Sequence, residues 1–119
     1  MVKESEKDIR ELQLIEQNLS NLLMQKQNFQ AKLIEDESAL KEIEKTTKET
    51  YKILGTIMVA VDKEELKKEI NEEKEIINLK IKNIEKQENK LKEHAEELQK
   101  EVLKNLKWIQ KISNFLQIN

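Results

Sequence analysis

Apolar residues recur at alternating three- and four-residue spacing along both halves of this chain, and this pattern limits the possible folds more than any other feature. In the N-terminal half only Lys26, Asp36 and Thr47 interrupt it. Such spacing is typical of long α-helices that bury one stripe against a partner helix. We therefore predict one helix over residues 4–48 and a second over residues 63–105. The stripe positions are Leu12, Ile15, Leu19, Leu22, Phe29, Leu33, Leu40 and Ile43, then Leu66, Ile70, Ile77, Ile81, Ile84, Leu91, Ala95, Leu98 and Val102.

The two helices are the nearest partners for each other. One break, centred near Gly55, separates them, so folding back at this point would align the stripes as an antiparallel coiled coil. Residue numbers at facing positions would then add to about 111. This register predicts an ion pair between Asp36 and Lys74 across the helices. Asp62, directly before the second helix, is a predicted N-cap.

The composition excludes several classes of function. The 22 Lys and Arg and 24 Asp and Glu residues are interleaved, so no one-signed field indicates nucleic acid or an acidic membrane as partner. With no cysteine, one glycine and one histidine, the chain has no thiol site and no Gly-rich phosphate loop. His94, among carboxylates on a charged helix, is typical of a solvated residue. We expect no enzyme, no cofactor and no metal site, and a cytoplasmic protein without signal peptide or membrane span.

The stretch between the helices, "YKILGTIMVAV", is almost uncharged and rich in β-branched residues. Gly55 stands where a two-residue type II′ turn needs a positive φ, so residues 50–61 are predicted to form a β-hairpin. Both of its faces would be apolar, and a lone hairpin is marginal in water. We expect hairpins of several chains to join in a larger sheet or barrel; the alternative is an apolar loop between helices. The predicted assembly residues are Tyr51, Ile53, Leu54, Gly55, Ile57, Met58, Val59 and Val61.

The segment "TYKILGTIMVAVDKEELKKEI" resembles the central segment of prefoldin β subunits. It has a Tyr-Lys pair, the turn glycine, an alternating apolar strand and an acidic helix start, and the layout of helix, single hairpin and helix covers nearly the whole chain. The resemblance implies one prefoldin-like domain within an ATP-independent chaperone, a hexamer of two α-type and four β-type subunits. In that family the hairpins form a β-barrel platform, and the coiled-coil tips hold unfolded polypeptide and pass it to a group II chaperonin.

Residues 106–119 form an apolar, amphipathic tail with two of the four aromatic residues. We expect this tail, with the end of the second helix, to hold unfolded clients, although it could instead pack on the first helix against Val2 and Ile9, or on another subunit. A structural or adaptor coiled coil forming a homodimer is the alternative function, and a membrane-surface role for the tail is more remote. The predicted client-binding residues are Val102, Leu103, Leu106, Trp108, Ile109, Ile112, Phe115 and Leu116.

Overall fold

The computed structural model describes the backbone of residues 2–118 and the side chains of residues 3–117. Its elements follow in the order α1 (Val2–Lys45), β1 (Thr50–Leu54), β2 (Ile57–Val61) and α2 (Lys63–Ile118). Two long helices joined by a single two-stranded antiparallel hairpin confirm the predicted mainly α class. The predicted C-terminal ends of both helices differ from the structure.

Helix α1 ends at Lys45 rather than at Lys48. Thr46 turns its hydroxyl to the chain that follows, where Oγ1 accepts a hydrogen bond of 3.2 Å from the backbone N–H of Lys48. The Lys63 ammonium group donates to the carbonyls of Glu44 and Thr46, at 3.5 and 3.1 Å. The last carbonyls of a helix have no partner inside it, and this lysine from the start of α2 satisfies the carbonyl of Glu44 in the last turn and that of Thr46 just beyond it.

Helix α2 does not end at residue 105 but continues to Ile118. The fall in charge after residue 105 is a change in composition and not a stop signal, because the segment contains neither glycine nor proline. Gln110 Nε2 donates to Asn114 Oδ1 at 3.1 Å, one turn along the helix. The start of α2 agrees with the prediction, since the N–H of Glu65 donates to Asp62 Oδ2 at 3.3 Å.

The helices belong to two compact units, the first comprising residues 25–84. In this unit Ile43, Ile77, Ile81 and Ile84 are buried. Two contacts between α1 and α2 show the relative direction of the helices. The Nζ atom of Lys80 lies 5.4 Å from the centre of the Phe29 ring, and Glu37 pairs with Lys74 at 3.9 Å. As position 29 faces 80 and 37 faces 74, the helices run antiparallel here, close to the predicted register.

The predicted ion pair between Asp36 and Lys74 is wrong. The Lys74 ammonium group pairs with Glu37, the next residue along α1. Asp36 Oδ1 instead lies 3.6 Å from the Nζ of Lys32, one turn earlier on its own helix. The residue numbers of the observed pair, Glu37 and Lys74, add to the predicted 111, so Asp36 lies one residue away from the position that faces Lys74. On a helix one residue is a rotation of about 100°, which is enough to exchange partners.

The second unit comprises the residues up to Met24 and those from Glu85 onward. Ile15 and Leu98 are buried in it. Asn105 Nδ2 donates to Ser5 Oγ at 3.2 Å, and exposed His94 lies 3.8 Å from Glu11. These pairs show that α1 and α2 are antiparallel in this unit too.

The hairpin has the predicted register, with Leu54 opposite Ile57 and Thr50 opposite Val61. Gly55 has a φ of 61°, and it is the one described residue whose φ is positive. A positive φ at Gly55 followed by a negative φ at Thr56 is the φ pattern of the predicted type II′ turn. Directly opposed residues share a face, which places Ile53 with Met58 on one side of the ribbon.

Candidate functional site

The first candidate surface is formed by the hairpin. Ile53 and Met58, an opposed pair on one face, are 70% and 66% exposed, and Leu54 and Ile57 on the other face are exposed too. Soluble proteins rarely expose several large apolar side chains together in one patch unless that patch is a contact site. We call the exposed members the hairpin surface; they are Tyr51, Ile53, Leu54, Gly55, Ile57, Met58 and Val59. Val61, the remaining predicted assembly residue, is half-buried at the base.

The base of the hairpin is held to the helices by polar contacts. The Lys52 ammonium group binds Glu69 of α2 at 2.9 Å, and Thr50 Oγ1 donates to the carbonyl of Val61 at 2.7 Å. The Tyr51 hydroxyl donates to Glu49 at 2.6 Å, and this bond, with a small contribution from burial, raises the pKa of the Tyr51 hydroxyl. The polar side chains at the base thus have local partners, while the apolar ones beyond them do not.

The two strands also leave backbone groups available. The hairpin is a two-stranded sheet among the described residues, so each strand pairs on one side only. The other side of each strand presents N–H and C=O groups to a further strand. Apolar faces and open edges together are what a strand needs in order to join a larger sheet.

An open groove of about 890 Å³ lies between the hairpin and the helices of the 25–84 unit. Ile43, Leu66 and Ile70 supply apolar lining, and the carboxylates of Glu69 and Glu73 stand among the lining groups. This groove extends the uncovered area of the hairpin onto the helices. The full lining is Lys32, Glu35, Asp36, Ala39, Glu42, Ile43, Thr50, Tyr51, Lys52, Ile53, Leu66, Glu69, Ile70, Glu72, Glu73 and Ile76.

One wall of this groove contains a pair of carboxyl groups. Asp36 is only 4% exposed, and its Oδ2 atom has no hydrogen-bond partner among the described residues. A hydrogen bond to Asp36, together with burial and the negative charge of Asp36, raises the pKa of Glu73. Two ionised carboxylates have no proton to share and repel each other, so the protonated form of Glu73 is favoured beside Asp36, which is the direction of its pKa shift. The sequence showed Asp36 as a gap in the stripe, but it did not indicate Glu73 as its neighbour.

The second candidate surface lies along the C-terminal part of α2. Trp108 and Phe115 are 50% and 65% exposed, and the predicted apolar residues around them are exposed as well, apart from half-buried Val102. We call this set the tail surface; its members are Val102, Leu103, Leu106, Trp108, Ile109, Ile112, Phe115 and Leu116. Of the alternative packing partners, Ile9 is itself exposed, and the side chain of Val2 lies outside the described side chains.

The tail surface continues the stripe of α2, which the sequence prediction had not recognised. Ile109, Ile112 and Leu116 follow Val102 and Asn105 at the same alternating spacing of four and three. Ile109 and Ile112 are the least exposed large apolar residues of the set beyond Val102. Trp108 and Phe115, seven residues apart, form a row beside them on the same side of the helix. The result is an apolar strip several side chains wide.

In the part of the chain that the structure describes, no group of three or more His, Asp or Glu residues is placed to hold a metal ion. No helix between residues 2 and 118 is long and apolar enough to cross a membrane.

Comparison with known proteins gives a consistent result. A sequence profile described as "Prefoldin subunit" matches residues 6–107. The prefoldin subunit beta of Archaeoglobus fulgidus is 38% identical over 100 residues, covering 82% of this chain and 85% of the relative. That of Sulfurisphaera tokodaii is 38% identical over 93 residues, covering 76% and 74%. The crystal structure of the prefoldin beta subunit from Thermococcus strain KS-1 matches with a TM-score of 0.79 and 31% identity, over 86% of this chain and 91% of that one.

The chain therefore belongs to the prefoldin subunit family, a family of chaperone subunits. Its similarity to beta subunits confirms the resemblance to the β class that the hairpin segment indicated. Family membership supports assembly with other prefoldin subunits. The matched profile ends at residue 107, so most of the tail surface, from Trp108 to Leu116, lies beyond it.

Proposed function

We propose that this chain is the β-type subunit of an ATP-independent cytoplasmic chaperone, a hexamer of two α-type and four β-type subunits. The hexamer binds unfolded polypeptides at the tips of its coiled coils and transfers them to a group II chaperonin. The observation that carries the proposal is a hairpin whose two faces are both apolar and exposed, in a member of the prefoldin family.

The hairpin surface supplies the assembly contact. Strands of a neighbouring subunit that pair with the open edges would satisfy the backbone groups and cover Ile53, Met58 and their neighbours in the same step. Burial of apolar area stabilises by about 25 cal/mol per Å², so each large side chain that becomes covered contributes on the order of 1 kcal/mol. A role for the helices alone, as in an adaptor homodimer, would leave this surface exposed.

The tail surface supplies the client contact. An unfolded polypeptide exposes apolar side chains in no fixed arrangement, and a strip of mixed apolar residues on a helix accepts them in many registers. No single contact is strong, so a client is held and released without nucleotide. The proposal needs no catalytic group and no cofactor.

Light scattering tests the assembly contact and separates it from the homodimer alternative. The full chain is measured alone and after mixing with an archaeal α-type prefoldin subunit. We expect a complex with the mass of about six chains in the mixture. A dimer whose mass does not change on mixing would overturn the proposed assembly.

Deletion of Trp108–Asn119 tests the client contact. We expect the shortened chain to form the hexamer with the α-type subunit and to lose most of its ability to suppress aggregation of a chemically unfolded model enzyme. The matched control is the full-length hexamer at the same concentration. Undiminished suppression by an intact hexamer of the shortened chain would show that the tail surface is not the client site.

A further inference from the structure

The tail surface has a net positive charge, unlike the rest of the chain. From Val102 to Ile118 there are three lysines, Lys104, Lys107 and Lys111, and no Asp or Glu, whereas the chain as a whole has a net charge of −2. All three lysines are exposed. Among the residues that the structure describes, none of the three pairs with a carboxylate. Their charges are therefore available to a bound partner.

Two of these lysines border the aromatic row. Lys104 and Lys111 lie four residues before and three residues after Trp108, and Lys111 lies four residues before Phe115. Residues three and four apart are neighbours on the surface of a helix. The apolar strip therefore has a row of ammonium groups along its aromatic edge, which we call the lysine edge.

The lysine edge affects which apolar polypeptide segments the tail surface binds most tightly. A polypeptide lying across Trp108 and Phe115 brings its own flanking side chains within reach of Lys104 and Lys111. A carboxylate there is attracted, and a second ammonium or guanidinium group is repelled. The apolar contact is the same in both cases, so charge decides between segments of equal hydrophobicity.

We propose that the tail surface selects unfolded segments that combine apolar residues with Asp or Glu, over segments of equal hydrophobicity that carry Lys or Arg. The inference rests on the proposed function of the tail surface and specifies the class of client that it takes. Because exposed charges are screened by salt, the selectivity is strongest at low ionic strength.

The test uses two fluorescein-labelled peptides with one apolar sequence, flanked by Glu in the first and by Lys in the second. Their binding to the hexamer of full-length subunits is measured by fluorescence anisotropy. We expect about three- to tenfold tighter binding of the Glu peptide, the range that two exposed charge pairs produce, with the preference decreasing in 0.5 M salt. Equal binding of the two peptides, or tighter binding of the Lys peptide, would overturn the inference.

A double substitution assigns the preference to the lysine edge. The K104Q/K111Q hexamer should bind both peptides with similar affinity, since the apolar strip is unchanged. The control is K82Q/K86Q, which removes two exposed lysines elsewhere on α2 and should keep the preference. A preference that persists in K104Q/K111Q would contradict the inference.

The deletion of Trp108–Asn119 distinguishes failure of this inference from failure of the proposed function. If the deletion abolishes binding of both peptides while the intact hexamer does not discriminate between them, only the charge selection is wrong. If peptide binding survives the deletion, the tail surface is not the client site and both proposals fail. Binding of phosphatidylserine vesicles by the hexamer, lost in K104Q/K111Q, with no discrimination between peptides, would replace the inference with a membrane contact.

Discussion

The hairpin surface and the tail surface are both apolar and exposed, but they offer a partner different kinds of contact. The hairpin presents open strand edges, whose N–H and C=O groups require a partner strand in a defined register and direction. The tail is helical to Ile118, so before the last turn its backbone groups are bonded within the helix and mainly side chains remain for a partner. This difference favours one fixed partner at the hairpin and many variable partners at the tail.

The strongest test of this comparison introduces charge into the hairpin surface. The variant I53K/M58K places two lysines opposite each other on one face, where neighbouring subunits would have to bury them. We expect loss of the hexamer, measured by light scattering with the α-type subunit, and no change in the helical content of the chain. The control is L79K, because Leu79 is 61% exposed on α2, outside both surfaces. Loss of the hexamer in L79K as well, or its survival in I53K/M58K, would contradict the assignment of assembly to the hairpin.

Truncation of the two aromatic side chains of the tail surface should have a smaller effect, which is confined to client binding. We expect W108A/F115A to weaken binding of an unfolded model protein about tenfold, because aromatic side chains dominate the contact energy of such surfaces, while the hexamer remains intact. Suppression of aggregation at increasing hexamer concentration measures the effect. M24A/L79A, which shortens two exposed apolar side chains elsewhere, should behave like the parent chain. An equal loss in this control would mean that exposed hydrophobicity in general, and not the tail surface, binds clients.

Substitution of the turn glycine tests how far the hairpin depends on its geometry. Gly55 has a φ of 61°, and a Cβ atom there meets no other atom within 4 Å, so G55A introduces backbone strain without a clash. We expect G55A to destabilise the hairpin by about 1 kcal/mol and to weaken the hexamer accordingly. G55N should lose less stability than G55A, because asparagine tolerates a positive φ better than alanine. Thermal unfolding of the hexamer ranks the stabilities of the parent chain and the two variants. Equal melting temperatures for the alanine and asparagine variants would show that φ at this position is unimportant.

The smallest expected effect concerns the carboxyl pair in the groove. The pKa of Glu73 is raised in the folded chain, chiefly by its hydrogen bond to Asp36, so the folded chain holds its proton at a pH where the unfolded chain has released it. Stability from this group is therefore fully present below the ordinary glutamate pKa of 4.5 and is lost as the pH rises through the raised pKa. The charged groups around the site are Lys32, Glu35 and the pair of Glu37 with Lys74.

We expect E73Q to stabilise the chain at pH 7 by on the order of 0.5–1 kcal/mol, since glutamine supplies a donor to Asp36 without the second negative charge. The difference in unfolding free energy between E73Q and the parent chain, followed by chemical denaturation from pH 4 to pH 8, should grow with pH. E72Q, on the neighbouring exposed glutamate, is the control and should show no such trend. A difference that does not vary with pH would show that Glu73 titrates normally.

Much of the fold could be predicted because its signals are local or periodic. The stripe of α1 predicted which residues turn inward, and Ile15 and Ile43 are buried as expected. The turn was predicted from a single glycine between two β-branched runs, which fixes both register and faces of a hairpin. The assembly and client-binding roles of the two surfaces stay predictions, because each depends on molecules other than this chain.

The errors arose where a contact connects distant parts of the chain. At the end of α1, Lys63 reaches the carbonyls of Glu44 and Thr46 only after the chain has folded back. The partner of Asp36 depends on a rotation of the helices that a sum of residue numbers does not resolve. The extension of α2 was missed for a different reason: residues 106–119 were treated as a separate amphipathic tail, although they contain no glycine or proline that would end the helix.

The sequence by itself determined the number and type of elements, the inward stripe of each helix and the turn at Gly55, because spacing and backbone preference act within a few residues. Only the tertiary structure decided that Lys74 pairs with Glu37, that Asp36 and Glu73 meet in the groove, and that the tail residues remain uncovered. The physical reason is that ion pairs, pKa shifts and exposure depend on distances of a few ångströms between residues far apart in the chain. Periodicity specifies the face of a helix, but the packing of that face against its partner sets those distances.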